Sequence, residues 1–254
     1  MKNWTGKSAE LSWQKSNPSS ITSVVATPQV HQLLTTPPSE YTNPLLGIVQ
    51  LGDQGLTCLV VPYHPLGNLR RYVADQRPNL TALQQMQIIH DITSGLEFLH
   101  QRGIQHMNLH SANVLISMQG MAILTDFGRA NNRAEVGMPP KPTRDLEMIR
   151  SLAVVFLAPE VLASNSYSSR SEVYALGMIM FELLTGRVAF EKDLGQPGLS
   201  TRVMFGKQDE IPANVKGSPG PAYEALIKDC WKLNPAERPH LAGLKSRLEQ
   251  LMAE

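Results

Sequence analysis

The sequence predicts an α+β fold with two segregated parts, strand-rich before about residue 62 and helix-rich after residue 67. Two observations carry this. Residues 46–61 read as a hairpin of short apolar strands about a Gly-containing turn. From Thr81 onward the apolar period changes to steps of three and four, and helical patterns run to the end of the chain. The 254 residues are 42% hydrophobic, enough for one large domain or two small lobes with a sizeable core.

The first 15 residues alternate loosely, and Leu11–Lys15 fits a short strand. Ser16–Ser20 and Thr35–Ser39 are turn signals around a weak apolar segment. Within it Thr27-Pro28 suits an N-cap and first helical position, giving about two turns through Leu34. Leu46–Leu51, the Gly-Asp-Gln-Gly turn at 52–55 and Leu56–Val61 form the hairpin. Pro62 to Gly67 is a Pro- and Gly-rich linker. Thr81 then caps a helix with Leu83, Met86, Ile89, Ile92, Leu96 and Leu99 on one face, and Gly103 ends it. Val114–Ile116 and Ala122–Leu124 are short strands. Residues 128–150, with Pro139, Pro140 and Pro142, are a long polar loop. A buried helix is expected over Ser171–Thr185. Two more close the chain, one through Tyr223, Leu226, Ile227 and Cys230, the other through Leu241, Leu244, Leu248 and Leu251. No internal repeat is present.

The bulk numbers exclude several classes. A net charge of +1 argues for neither nucleic acid nor an acidic membrane surface as a partner. Cys58 and Cys230 lie far apart in apolar stretches and read as reduced packing residues of an intracellular protein. Met1–Ser20 has no apolar run of signal-peptide length. Val173–Leu184, the longest apolar stretch, contains Glu182 and falls short of the ~20 residues a membrane helix needs. The expectation is a soluble, cytoplasmic protein with protein partners of unspecified identity.

Several markers stand in fixed order. Leu59-Val60-Val61-Pro62-Tyr63 precedes Gly67-Asn68-Leu69, and Gly95–His100 leads into His106-Met107-Asn108-Leu109-His110-Ser111-Ala112-Asn113. Asp126-Phe127-Gly128, Ala158-Pro159-Glu160, Ser171–Gly177 and Cys230-Trp231 with Pro235, Arg238 and Pro239 follow. Together, from about Leu45 to Met252, they resemble a protein kinase domain of the tyrosine-kinase-like or serine/threonine kind.

The resemblance implies a bilobal fold over residues 1–254: a reduced β-rich N-lobe (1–62), a hinge (63–67) and a mainly helical C-lobe (68–254). It implies a cleft for ATP and Mg2+. Val61 takes the gatekeeper position, the Pro62 carbonyl and the His64 N–H face adenine, and Leu115 belongs to the same nucleotide site. Proline keeps the carbonyl while lacking the N–H. Asn113 and Asp126 supply the two oxygen ligands for magnesium. His106 packs in the core against Phe127, Glu160 pairs with Arg238, and Glu172 stands where an aspartate braces the catalytic loop.

The pattern fails at the chemistry. The catalytic-base position holds Asn108, an amide that cannot accept a proton near neutral pH. Met107 replaces the arginine that would clamp an activation-loop phosphate. His110 stands where serine/threonine kinases usually have lysine, and Ala153 where a threonine is expected. No Gly-x-Gly-x-x-Gly occurs before residue 45. Lys15 is faintly similar to the phosphate lysine, yet Glu10, Glu40 and Asp53 are all misplaced to pair with it, and a solvated strand-end lysine explains it equally well. Thr143 and Ser151 lack a receptor arginine at 107 and read as plain loop residues. His106 and His110, with His90 and His100 upstream, are not completed by Glu or Cys into a zinc set. Two readings follow: a pseudokinase acting as a scaffold or allosteric binding module with residual ATP binding, or a weakly active serine/threonine-type kinase.

Overall fold

The computed structural model describes residues 39–51, 56–76, 80–132, 152–213, 215 and 217–253. The expected strand Leu11–Lys15, the expected helix Thr27–Leu34, Lys15 itself and most of the loop 128–150 lie outside these residues.

Among the described residues the N-terminal part contains one antiparallel hairpin, β1 (Gly47–Leu51) against β2 (Leu56–Val60), registered Gly47 to Val60 and Leu51 to Leu56. The segment before it is stitched to the helical part. Asn43 N–H donates to the Leu124 carbonyl at 2.8 Å, and Leu124 N–H to the Tyr41 carbonyl at 2.8 Å. Beyond the hinge come α1 (Leu69–Gln76), α2 (Ala82–Gln101) and β3 (Ile104–Gln105). Next are β4 (Val114–Ile116), β5 (Ala122–Leu124) and β6 (Asn131–Asn132). The helices α3 (Pro159–Ser164), α4 (Ser169–Thr185), α5 (Leu199–Met204), α6 (Pro221–Cys230) and α7 (Leu241–Ala253) complete the order. β4 pairs with β5, and β3 with β6, both antiparallel. This is a bilobal α+β arrangement: a small β-rich lobe and a mainly helical one.

The long helices start where local chemistry dictates. Thr81 and Gln84 form a reciprocal capping box at α2: the threonine hydroxyl accepts from Gln84 N–H at 3.2 Å, and the Gln84 side-chain Oε1 from Thr81 N–H at 2.9 Å. Ser168 does the same at α4, so that helix begins two residues before the expected Ser171. Gly186 (φ 76) closes it in the left-handed conformation that a glycine adopts without strain.

α4 is the centre of the core, with every residue from Ser171 to Leu184 buried. α6 packs against it through Trp231 and Phe181, ring centroids 5.4 Å apart. Gly177 makes that approach possible, because a Cβ there would sit 2.6 Å from the Cys230 Cβ and 2.8 Å from Trp231 Cδ1. Among the described residues no helix is long and apolar enough to cross a membrane.

Gly177→Ala is expected to destabilise the domain by roughly 1–3 kcal/mol through overpacking. Denaturant unfolding of the two proteins checks this, the midpoint falling without a change in slope.

Candidate functional site

The loop from His106 to Asn113 is fixed from below by a buried carboxylate. Glu172, fully buried on α4, accepts from His106 N–H at 2.6 Å and from Met107 N–H at 3.1 Å through Oε1, while Oε2 contacts the His100 imidazole. These bonds hold Met107 at φ 59, in the left-handed region that non-glycine residues seldom occupy. His106 is fully buried with its ring 5.4 Å from Phe127, and its Nε2 bonds the Thr125 carbonyl at 3.0 Å. Burial pushes the His106 pKa down.

Above this base Asp126 sits at φ 62, and its carboxylate is surrounded by donors. Asn108 Nδ2 donates to Oδ2 at 3.0 Å, Asn113 Nδ2 lies 3.2 Å from the same oxygen, and Gly128 N–H approaches Oδ1 at 3.4 Å. Asn113 Nδ2 also donates to the Asn108 carbonyl at 2.9 Å and meets His110 Nε2 at 3.0 Å. The last contact requires a neutral His110 acting as acceptor. Burial, then the nearby His106, pushes its pKa down to about 4.

A second buried charge supports the loop from the side. Glu182 on α4 lies 3.6 Å from Arg70 Nε, and Arg70 donates to Ser111 Oγ from Nε and Nη2, both at 3.2 Å. Burial raises the Glu182 pKa, opposed by Arg70. The sequence reasoning missed this set and His100, although a carboxylate inside the most apolar stretch was itself a signal for a buried partner.

Farther out, Glu160 and Arg238 form a bidentate pair, Nη1 to Oε1 and Nη2 to Oε2, both 2.8 Å. Arg238 is 1% exposed and also donates to the Lys232, Arg170 and Leu233 carbonyls. At the hinge, Val61 is 43% exposed, Pro62 is half-buried, and His64 Nε2 lies 3.3 Å from Asn43 Oδ1. Burial lowers the His64 pKa. Leu115 pairs with Ile123 and bridges to Asn68 just past the hinge. The structure therefore brings Asn108, Asn113 and Asp126 into mutual contact above His106, Phe127 and Glu172. Lys15 lies outside the described residues.

A sequence family described as protein tyrosine and serine/threonine kinase matches residues 29–248. The chain belongs to the protein kinase family. Its relatives include serine/threonine/tyrosine-protein kinase HT1 of Arabidopsis thaliana, 27% identical over 194 residues, covering 76% of this chain and 47% of that protein. Serine/threonine-protein kinase STY46 of Arabidopsis thaliana is 25% identical over 197 residues, covering 78% of this chain and 32% of that protein. RGS domain-containing serine/threonine-protein kinase A of Dictyostelium discoideum is 26% identical over 186 residues, covering 73% of this chain and 15% of that protein. This kinase domain thus spans less than half the length of each.

Kinase domains in general use ATP with Mg2+. Asp126 and Asn113 offer oxygens of the right hardness, but the side chains as arranged do not fit the cation. Oδ2 of Asp126 already takes an amide hydrogen from Asn108 and lies 3.2 Å from the Asn113 amide nitrogen, and amide N–H2 groups cannot ligate a metal. Among the described residues no group of three or more His, Cys, Asp or Glu side chains converges to hold one.

Two outcomes are expected. Arg238→Ala leaves Glu160 partly buried without its cation and removes donors from three carbonyls, costing about 3–5 kcal/mol, read by thermal or denaturant unfolding. His110 binds its proton less readily when folded than when unfolded. Its contribution to stability is therefore complete above its unfolded pKa near 6.5 and is lost as pH falls from there through about 4. The melting temperature should drop across that window, and His110→Gln should flatten the drop by up to one proton.

Proposed function

We propose that this kinase domain is a pseudokinase, a protein-kinase fold with little or no phosphotransfer that acts as a cytoplasmic scaffold or allosteric binding module for protein partners. The observation that carries this reading is the Asn108 carboxamide donating to Asp126 at 3.0 Å. A general base must accept a proton from the substrate hydroxyl. Here the group at that position is a donor, and it is directed at the neighbouring carboxylate instead. Loss of a positioned base costs about 10²–10⁴ in rate.

The surroundings point the same way. Met107 offers no guanidinium to an activation-segment phosphate, and neutral His110 no cation to a transferring phosphoryl group. Val61, Pro62, His64 and Leu115 are the residues that would hold an adenine ring, so residual ATP binding is part of the proposal. A second reading is a weakly active serine/threonine-type kinase, supported by the retention of Asn113 and Asp126 with their side chains 3.2 Å apart.

Incorporation of label from γ-labelled ATP, into the chain itself and into a generic basic-protein substrate, tests the two. Neither the wild type nor Asn108→Asp is expected to transfer phosphate above background. Strong rescue by Asn108→Asp would instead reveal an otherwise competent site and favour the weak kinase.

A further inference from the structure

We infer that Asn108 is a latch on the metal position: its carboxamide hydrogen-bonds Asp126 and keeps a divalent cation from this cleft. The inference deepens the pseudokinase reading and rests on it in treating residue 108 as no base. The side-chain orientation follows from the partner. Were the amide turned over, its oxygen would face a carboxylate oxygen at 3.0 Å, so nitrogen must lie toward Asp126. Asn113 is fixed the same way, because its nitrogen already serves the Asn108 carbonyl at 2.9 Å, so the amide nitrogen and not the oxygen lies 3.2 Å from Asp126 Oδ2.

Asp126 is exposed, so burial does not bar a cation. Competition does. A divalent ion must shed water and displace charge-assisted hydrogen bonds, each among the stronger kind. It gains little charge in return, for no set of three or more acidic, histidine or cysteine side chains assembles among the described residues. A carboxylate at 108 would reverse both terms. It could not donate to Asp126, and the like-charge pair would draw a cation between them. The amide thus replaces the ion as the partner of Asp126. Any nucleotide would then be held by its base and sugar, without a bridging cation.

Mn2+ alone, without nucleotide, is the probe. The electron paramagnetic resonance signal of the free ion is followed as it is titrated with the intact chain. Four proteins are compared: wild type, Asn108→Ala, Asn108→Asp and Asn108→Ala/Asp126→Ala, each checked for cooperative melting. Losing one neutral donor to the Asp126 carboxylate should tighten the site about tenfold or more. The expected order is therefore Asn108→Asp tightest, Asn108→Ala next and wild type weakest, with the Ala/Ala protein reporting only background sites. If the wild type matches both single variants, whether all bind or none does, the latch is overturned. Should Asn108→Ala not fold, Asn108→Asp against wild type decides alone. The phosphotransfer assay is read separately, so an active wild type would remove the pseudokinase reading while leaving the ordering of Mn2+ affinities to judge the latch.

Discussion

The catalytic loop keeps its shape because a carboxylate is buried beneath it. Glu172 is fully buried, which would be prohibitive for an isolated charge. Its two oxygens are instead met by two backbone N–H groups and an imidazole. α4 is packed on all sides and supplies a rigid platform, so whatever Glu172 holds becomes rigid with it. The left-handed Met107, the orientation of His106 toward the Thr125 carbonyl and the placement of Asn108 beside Asp126 all follow from this attachment. The family pattern has an aspartate here. The additional methylene of glutamate is absorbed without loosening the loop, since both N–H groups are within hydrogen-bond distance of one oxygen.

The same separation of scaffold from chemistry recurs across the C-lobe. The bidentate Glu160–Arg238 pair and the buried Glu182 beside Arg70 are set into the lobe, and removing either arginine would strand a largely buried carboxylate at a cost of several kcal/mol. Asn108 stands under no such constraint. It differs from the expected aspartate by one isosteric atom at a half-buried edge of the loop, and it gains a hydrogen bond that the acid could not make. Folding therefore opposes changes to the buried ion pairs strongly and is nearly indifferent to the identity of residue 108. A chain of this kind can lose its reaction while its surfaces, and so its capacity to bind, persist.

How much of this was legible in the sequence depended on length and on rotamers. α2, α4, α6 and α7 announced themselves because ten or more residues repeat an apolar period, and the Gly-containing turn gave away the β1–β2 hairpin. α1, α3 and α5 did not, because helices of six to eight residues display too few apolar positions to fix a period. β3 and β6, two residues each, are defined only by the strand opposite. In the site, the letter at 108 was readable but its hydrogen bond was not, since that depends on where Asp126 points. His100 reaches Glu172 across 72 positions of sequence, a contact no local pattern encodes.

Charge balance links the two changes at the front of the loop. Where the family pattern carries an anion at 108 and a cation at 110, this chain carries an amide and an imidazole that burial keeps neutral at pH 7. One negative and one positive charge have gone from positions two residues apart, so the local field around Asp126 is altered less than either change alone would make it. Asn113 can donate to His110 Nε2 only while that nitrogen is an acceptor, and a lysine there would bring ammonium hydrogens against the amide's own. Asn108 and Asn113 thus turn neutral amide nitrogens toward the single carboxylate of Asp126, while His110 accepts from Asn113.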